Sequence, residues 1–234
     1  LVLFLLVFFT QSSSAQTTKT VGGAGANYAT LKAAFDAINA GSITGAITLQ
    51  IISSTTETAS AVLNASGTGS AIYSSINIYP MGTGYVIGGS FASHLIDLNG
   101  ADNVTIDGRV NGTGSAKDLT ISNSNNQSSS AIRFVNSAEN NTVKYCFVKS
   151  SETSTSRGII FFSTSEDGNG NDNNLIDKND ITNAGGRVNI AIYSLGSVGS
   201  ENSGNTISNN NIFDVWRTNA NSNNIQLGSY STEW

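Results

Sequence analysis

Segments in which apolar and polar residues alternate make up most of the chain beyond residue 45, and this alternation predicts β-strands with one buried face. Five of these segments share one pattern, in which two apolar residues stand two positions apart. Their apolar pairs begin 36, 27, 31 and 35 residues apart. The expected inward residues are Ile96 and Leu98, Ile132 and Phe134, Ile159 and Phe161, Ile190 and Ile192, and Ile225 and Leu227.

A second strand follows each of the first four segments and begins with Asn or Gly. It carries an apolar residue at an equivalent place each time, giving the set Ile106, Val143, Ile176 and Ile207. A third, shorter strand is indicated by another apolar residue five positions later in three of the repeats, namely Val148, Ile181 and Ile212. The repeating unit is therefore three short strands separated by polar turns and one loop of variable length.

A helical period appears in one segment, residues 28–40. Tyr28, Leu31, Phe35 and Ile38 recur there at helical spacing, and Gly41 follows as a stop signal. We expect one short amphipathic helix at this place, before the strand repeats.

A unit with so few inward side chains cannot bury its apolar face alone, and stacking of successive units solves this. Equivalent strands would then pair in parallel, and like side chains would form interior columns. Asn side chains at a repeated turn can pass hydrogen bonds along the stack. Asn179 and Asn210 share such a position with Cys146, so we expect Cys146 to be a small buried residue in an Asn ladder.

The phrase NVTIDG and the opening YATLKAAFDAINAG resemble the right-handed parallel β-helix, or pectin-lyase-like, family over roughly residues 27–234. The resemblance is greatest to large secreted and cell-surface proteins of Bacteroidetes-type bacteria. It implies an all-β fold, a right-handed parallel β-helix of about six coils, with a short N-terminal helix as its cap. Hydrolases, lyases, esterases, phage spikes and adhesins share these coils, so the resemblance does not fix an activity.

The first residues, LVLFLLVFF followed by TQSSSAQ, are typical of the second half of a signal peptide. Ser13 and Ala15 would occupy the cleavage-site positions before Gln16, and nine apolar residues are fewer than the roughly 20 needed to span a bilayer. We expect a partial signal peptide at 1–15, a linker at 16–27 and a β-helix domain at 28–234 that is truncated at its C-terminus. The protein is then secreted or on the cell surface, with no membrane span in the mature chain.

Composition limits the chemistry. Charged residues are 12% of the chain, about half the usual share, and the net charge of −5 argues against a nucleic-acid partner. One Cys and one His exclude an internal disulfide and Cys/His zinc sites. We expect no metal site and no cofactor, and a monomer.

Chemistry on such coils would come from outward columns of side chains. The first column is expected to read Asp97, Arg133, Ile160, Ala191 and Gln226, and the second Asp107, Lys144, Asp177 and Ser208. Adjacent strands lie about 4.8 Å apart, so opposite charges would stack as a structural ladder. The catalytic candidates are Asp97, Asp107, Arg133 and Lys144.

The alternative to a structural ladder is a polysaccharide lyase, in which carboxylates hold calcium and a Lys or Arg takes a proton from a uronic acid. Asp107 and Asp177 would then lie about 9.6 Å apart with Lys144 between them, which is too far for shared calcium ligands. Calcium therefore enters only under this alternative. The segment DGNGNDNN, residues 167–174, lacks the closing Glu of an EF-hand and reads as a polar loop.

Exposed aromatic rings can stack on sugars, and Tyr193, Trp216 and Tyr230 are the ligand-binding candidates. His94 stands just before an inward strand and is expected to be a turn or edge residue. We therefore expect an adhesin-like or polysaccharide-binding β-helix without catalysis, with an extracellular polysaccharide or cell-surface glycan as its partner. The alternative is a lyase or other carbohydrate-active enzyme of this fold whose site lies partly outside the chain.

Overall fold

The computed structural model describes residues 16–165, 169–216 and 221–234. The expected signal peptide, 1–15, lies outside the described residues. In chain order the elements are β1 (Thr17–Val21), α1 (Leu31–Asn39), β2 (Gly45–Ile51), β3 (Thr55–Glu57), β4 (Ala61–Asn64), β5 (Tyr73–Pro80), β6 (Tyr85–Gly89), β7 (Ile96–Asn99), β8 (Val104–Asp107), a 3₁₀ turn (Val110–Gly112), β9 (Leu119–Asn123), β10 (Ile132–Val135), β11 (Thr142–Lys144), β12 (Cys146–Ser150), β13 (Ile160–Phe162), β14 (Leu175–Asp177), β15 (Asp180–Asn183), β16 (Ile190–Ser194), β17 (Asn202–Ser203), β18 (Thr206–Ser208), β19 (Asn211–Ile212), β20 (Asn223–Leu227) and β21 (Ser231–Thr232).

Three parallel sheets form a solenoid, as the repeats predict. Within the described residues the first sheet has the order β1-β2-β5-β8-β11-β14-β18. The second is β3-β6-β9-β12-β15-β19, and the third is β4-β7-β10-β13-β16-β20. The chain visits the first, second and third sheets in turn, so one strand from each makes one coil. The seven strands described in the first sheet exceed the expected number of about six coils.

The helix α1 belongs to the first coil. Strand β1 pairs with β2 at the edge of the first sheet, and α1 then packs on β3 and β4 in place of strands of the other two sheets. The helix thus covers one end of the solenoid interior, as expected of a cap. The segment expected to be a linker, residues 16–27, contains β1.

Capping groups hold α1 in place. The hydroxyl of Thr30 accepts a hydrogen bond from the amide of Ala33 at 3.1 Å. The carboxylate of Glu57, on β3 in the next coil, accepts from the amides of Leu31 and Lys32 at 2.9 and 3.0 Å. The first amides of a helix have no hydrogen-bonding partner within the helix, and Glu57 supplies one for these two. The strand β3 thus caps the N-terminus of the helix that covers it.

The predicted interior column of the first sheet is confirmed. Ile106, Val143, Ile176 and Ile207 are paired in register, and Val148, Ile181 and Ile212 are paired likewise in the second sheet. Most of these side chains are buried in one continuous apolar core. Stacking of β-branched residues in consecutive coils supplies the burial that a single coil lacks.

The predicted column of the third sheet is wrong at two coils. Ile132 pairs with Ile160 rather than Ile159, and Ile160 pairs with Ile192 rather than Ile190. The outward column consequently reads Asp97, Arg133, Phe161, Tyr193 and Gln226 instead of passing through Ile160 and Ala191. The cause is local: residues 159–162 and 190–193 are apolar at every position, so alternation cannot fix their register.

Columns of Asn fill the turns between sheets. The Cys146 amide donates to Asn179 Oδ1 at 2.9 Å, and the Asn179 amide donates to Asn210 Oδ1 at 2.9 Å. Cys146 is fully buried, and burial raises the pKa of its thiol. The Asn ladder that includes Cys146 is therefore confirmed.

Candidate functional site

A concavity lined by polar, charged and aromatic side chains lies on the outer face of the first sheet, beside the 3₁₀ turn. We call it the Tyr79 cleft; its volume is about 260 Å³ and it crosses strands β2, β5, β8 and β11. Three strand spacings separate its ends, a length of about 14 Å along the solenoid axis. Its lining residues are Gln16, Thr48, Asn77, Ile78, Tyr79, Thr105, Asp107, Arg109, Gly112 and Lys144.

One half of the cleft carries neutral polar groups and an aromatic ring. The side-chain Nε2 of Gln16 donates to the hydroxyl of Thr48 at 2.6 Å, and Gln50 Nε2 donates to the Tyr79 hydroxyl at 3.2 Å. Asn77 and Thr105 face each other across the β5–β8 pair. This half of the cleft therefore presents hydroxyl and side-chain amide groups on adjacent strands, beside the ring of Tyr79.

The other half is charged and centres on Asp107. Arg109 holds its carboxylate bidentately, with Nε to Oδ1 at 2.8 Å and Nη2 to Oδ2 at 2.6 Å. Burial opposes ionisation of Asp107, but the hydrogen bonds from Arg109 and the charges of Lys144 and Arg109 outweigh it and hold its pKa below the ordinary value. Asp107 therefore stays a carboxylate and serves to orient the arginine.

Arg109 is held on its other sides as well. Its Nη1 donates to the carbonyl oxygen of Gly114 at 3.1 Å, and its guanidinium lies over the Tyr145 ring, 4.4 Å from the centroid. Gly108 makes this turn possible, because a Cβ there would stand 1.9 Å from the Tyr145 carbonyl oxygen. Arg109 was not predicted as a site residue, because its position depends on that turn and not on a strand.

The expected second column is confirmed in register, as Asp107 pairs with Lys144 and Lys144 with Asp177. The Lys144 ammonium lies 3.4 Å from Asp107 Oδ2. Asp177 is held by Lys178 at 3.1 Å and accepts further bonds from Ser208 and Asn209. The charges thus form two separate clusters, one around Asp107 and one around Asp177, rather than one continuous ladder.

The other two catalytic candidates lie elsewhere. Asp97 and Arg133 form a bidentate ion pair across β7 and β10 of the third sheet, with contacts of 2.9 and 2.6 Å. Asp107 and Lys144 stand on the first sheet. The structure therefore brings each acid beside its base but does not bring Asp97 and Asp107 to one site.

The ligand-binding candidates are scattered. Tyr193 is only 6% exposed and stacks on Phe161 at 5.8 Å in a small outer cluster. Trp216 is 54% exposed, with the Arg187 guanidinium 5.4 Å from its ring centroid, and Tyr230 is 44% exposed. Tyr79 was missed, although the run Ile76–Ile78 predicts that Asn77 and Tyr79 point outward.

His94 is buried beside Phe161, with ring centroids 6.0 Å apart. Burial and the charges of Arg133 and Arg157 lower the pKa of His94 to about 3. The imidazole is therefore neutral at physiological pH.

Asp167 and Gly168 of the polar loop lie outside the described residues. Asp172 in the same loop accepts a hydrogen bond from the Ser203 amide at 2.7 Å. In the described part of the chain, no three His, Cys, Asp or Glu side chains are grouped so that they could hold a metal ion. No helix among the described residues is long and apolar enough to cross a lipid bilayer.

Comparison of the chain with protein-family models, with curated proteins and with solved structures found no match.

Proposed function

We propose that this chain is a secreted or cell-surface β-helix of adhesin-like character that binds a polysaccharide in the Tyr79 cleft without chemical turnover. The observation that carries the proposal is the cleft itself, a groove of about 260 Å³ that combines an aromatic ring with hydroxyl, amide and charged groups. Sugar rings present apolar faces and many hydroxyl groups, so a binding groove for them needs both kinds of contact.

The arrangement of the cleft favours an extended ligand. Asn77 and Thr105 stand one strand spacing apart along the solenoid axis and are both partly exposed, which gives successive sugar units hydrogen-bonding partners. Thr48, next in the row, is only 2% exposed and already accepts a hydrogen bond from Gln16. A short run of units fits the length of about 14 Å between the ends of the groove.

The acids argue for binding rather than catalysis. Asp97 and Asp107 are each held bidentately by an arginine, and they lie on different sheets. A general acid or base must reach the proton that it transfers and titrate near the working pH. Asp107 meets neither condition well, because its pKa is lowered and its oxygens are occupied.

Binding is tested with purified protein on a polysaccharide array, followed by calorimetry on any ligand found. We expect Tyr79→Ala and Asn77→Ala to weaken binding by at least about fivefold through lost stacking and hydrogen bonds. Asn211→Ala, an exposed amide on the second sheet, is the matched control and should leave affinity unchanged. Binding to no polysaccharide would overturn the proposal.

The non-catalytic part is tested on polygalacturonate, alginate and esterified pectin, with and without calcium, by following unsaturated product and reducing ends. We expect no turnover. Product formation that disappears in Arg133→Ala or Asp107→Ala would replace the proposal with the lyase alternative.

The secreted or cell-surface location rests on the sequence of residues 1–15 and is tested by bacterial expression of the chain with a start Met and a short basic segment added before Leu1. A version that lacks residues 1–15 is the control and should stay inside the cell. N-terminal sequencing of the exported protein should begin at Gln16.

A further inference from the structure

The chain contains three Asn–Gly pairs, at residues 99–100, 111–112 and 169–170. Such a pair is chemically labile, because glycine has no side chain to keep its amide nitrogen away from the side-chain carbon Cγ of the preceding Asn. Attack of that nitrogen on Cγ requires both groups to leave any hydrogen bonds that they make. The structure holds the three pairs in different ways.

The pair Asn99–Gly100 is held at both reacting groups. Asn99 Nδ2 donates to Asn64 Oδ1 at 3.0 Å, and Asn99 Oδ1 accepts from Asn136 Nδ2 at 2.7 Å. The Gly100 amide donates to the Val135 carbonyl oxygen at 2.8 Å. A ladder of Asn side chains therefore protects this pair.

The pair Asn111–Gly112 is held by its backbone. The Gly112 amide donates to the Arg109 carbonyl oxygen at 3.0 Å, and the Thr113 amide donates to the Val110 carbonyl oxygen at 3.1 Å in the same 3₁₀ turn. Asn111 is exposed. Its nitrogen partner is thus protected, although its side chain is not.

The pair Asn169–Gly170 has neither protection. Within residues 16–165, 169–216 and 221–234, the Asn169 side chain and the Gly170 amide make no hydrogen bond. Both residues line an open hollow of about 510 Å³, which we call the Asn169 hollow and which gives water access to the pair. Glycine is required here, because a Cβ at Gly170 would collide with the carbonyl oxygen of Glu201.

A carboxylate stands beside Gly170. Asp172 Oδ1 lies 2.7 Å from the place that a Cβ of Gly170 would take. The same oxygen accepts a hydrogen bond from the Ser203 amide at 2.7 Å, which fixes the position of the carboxylate. A carboxylate so placed can take the proton of the Gly170 amide as the nitrogen attacks.

We infer that Asn169 is a self-modification site, where the folded chain converts this Asn to aspartate or isoaspartate with Asp172 as the base. The Gly170 nitrogen forms a bond to Asn169 Cγ and gives its proton to Asp172. The bond between Cγ and Nδ2 breaks, and ammonia leaves with that proton. Water then opens the five-membered imide at one of its two carbonyls, which gives aspartate or a backbone that runs through the side chain. One water is consumed and one ammonia is released.

The product adds a carboxylate to the Asn169 hollow, which Asp172, Glu201 and Glu233 already line. Modification therefore makes this face of the solenoid more acidic as the protein ages. This inference is independent of polysaccharide binding, since the hollow and the Tyr79 cleft share no lining residue.

The test is incubation of the purified chain at mildly alkaline pH over several weeks, followed by peptide mapping with mass spectrometry. Conversion of one Asn adds about 1 Da, and chromatography separates aspartate from isoaspartate. We expect Asn169 to react at least about tenfold faster than Asn99, with Asn111 between them. In urea the three rates should become similar, because the hydrogen bonds that distinguish the pairs are lost.

Asp172→Asn removes the base but keeps an oxygen that can accept from Ser203, and it should slow the reaction at Asn169 by at least about fivefold. Asp36→Asn is the matched control, since Asp36 lies on α1 and pairs with Lys32, and it should leave the rate unchanged.

Equal rates at Asn99 and Asn169 in the folded protein, or a faster reaction at Asn99 or Asn111, would overturn the inference. An unchanged rate at Asn169 in folded Asp172→Asn would overturn the role of Asp172. Thermal unfolding shows whether each variant is folded, and the comparison of the three pairs in wild type needs no variant.

Discussion

At the level of single residues, buried Asn side chains supply hydrogen-bonding partners for the backbone of the turns. Asn174 is 1% exposed; its amide nitrogen donates to the Ala138 carbonyl and to Asn205 Oδ1, and its Oδ1 accepts from the Asn141 amide. Asn171 and Asn202 repeat this arrangement at a neighbouring turn. A buried backbone amide without a hydrogen-bonding partner lowers the free energy of unfolding by about 1 to 3 kcal/mol. These Asn side chains supply that partner, so the tight turns can be buried without water. The abundance of Asn in the chain thus has a structural use.

Glu152 is a buried carboxyl group whose ionisation should affect stability. It is fully buried and accepts hydrogen bonds from the amides of Ser129 and Ser154 at 2.9 and 2.7 Å. Burial raises its pKa above the ordinary 4.5, against those hydrogen bonds and the charge of Arg157.

Because the folded-state pKa of Glu152 is raised, its contribution to stability is fully present below pH 4.5 and is lost as pH rises through the raised value. Glu152→Gln does not titrate, so wild type should lose stability relative to this variant as the pH rises from 4.5 through the raised pKa of Glu152. Urea unfolding of both proteins across that range measures the difference. Parallel pH profiles would contradict the assignment.

At the level of elements, the alternation of apolar and polar residues predicted the inward face of a strand correctly wherever polar residues separate the apolar ones. The helix was predicted from its period and observed at Leu31–Asn39, and the column through Ile106 and Val143 was predicted in the correct register. Register failed in the run Ile159–Phe162, because both faces of β13 are buried there: Phe162 in the core and Phe161 in the outer cluster. A fully apolar strand carries no signal of which face is inward.

The candidate site was predicted only in part for a similar reason. Asp107 and Lys144 lie on strands with a clear alternation, and their outward positions followed from it. Arg109 comes from a turn, and Gln16 precedes β1, in the segment expected to be a linker. The Tyr79 cleft depends on how the 3₁₀ turn folds back beside β5, which strand periodicity does not report.

At the level of the whole molecule, each coil is stabilised by its neighbours, and the position of a coil in the stack sets how much it loses when a core side chain is removed. Phe162 has such neighbours: it stacks on Phe134 with centroids 4.5 Å apart and meets the edge of Trp234 at 4.9 Å. Leu227 occupies the equivalent column one coil beyond Ser194 and is 44% exposed.

We therefore expect Phe162→Ala to lower the free energy of unfolding by about 3 to 5 kcal/mol through lost burial and a residual cavity. Leu227→Ala should cost about 1 kcal/mol, because nearly half of that side chain already meets water. Val198→Ala is the control, since Val198 is 77% exposed and should change stability by less than about 0.5 kcal/mol. Urea unfolding followed by circular dichroism measures all three. Equal losses at Phe162 and Leu227 would contradict a stack in which stability depends on adjacent coils, since only a globular core shared by both residues would respond to them alike.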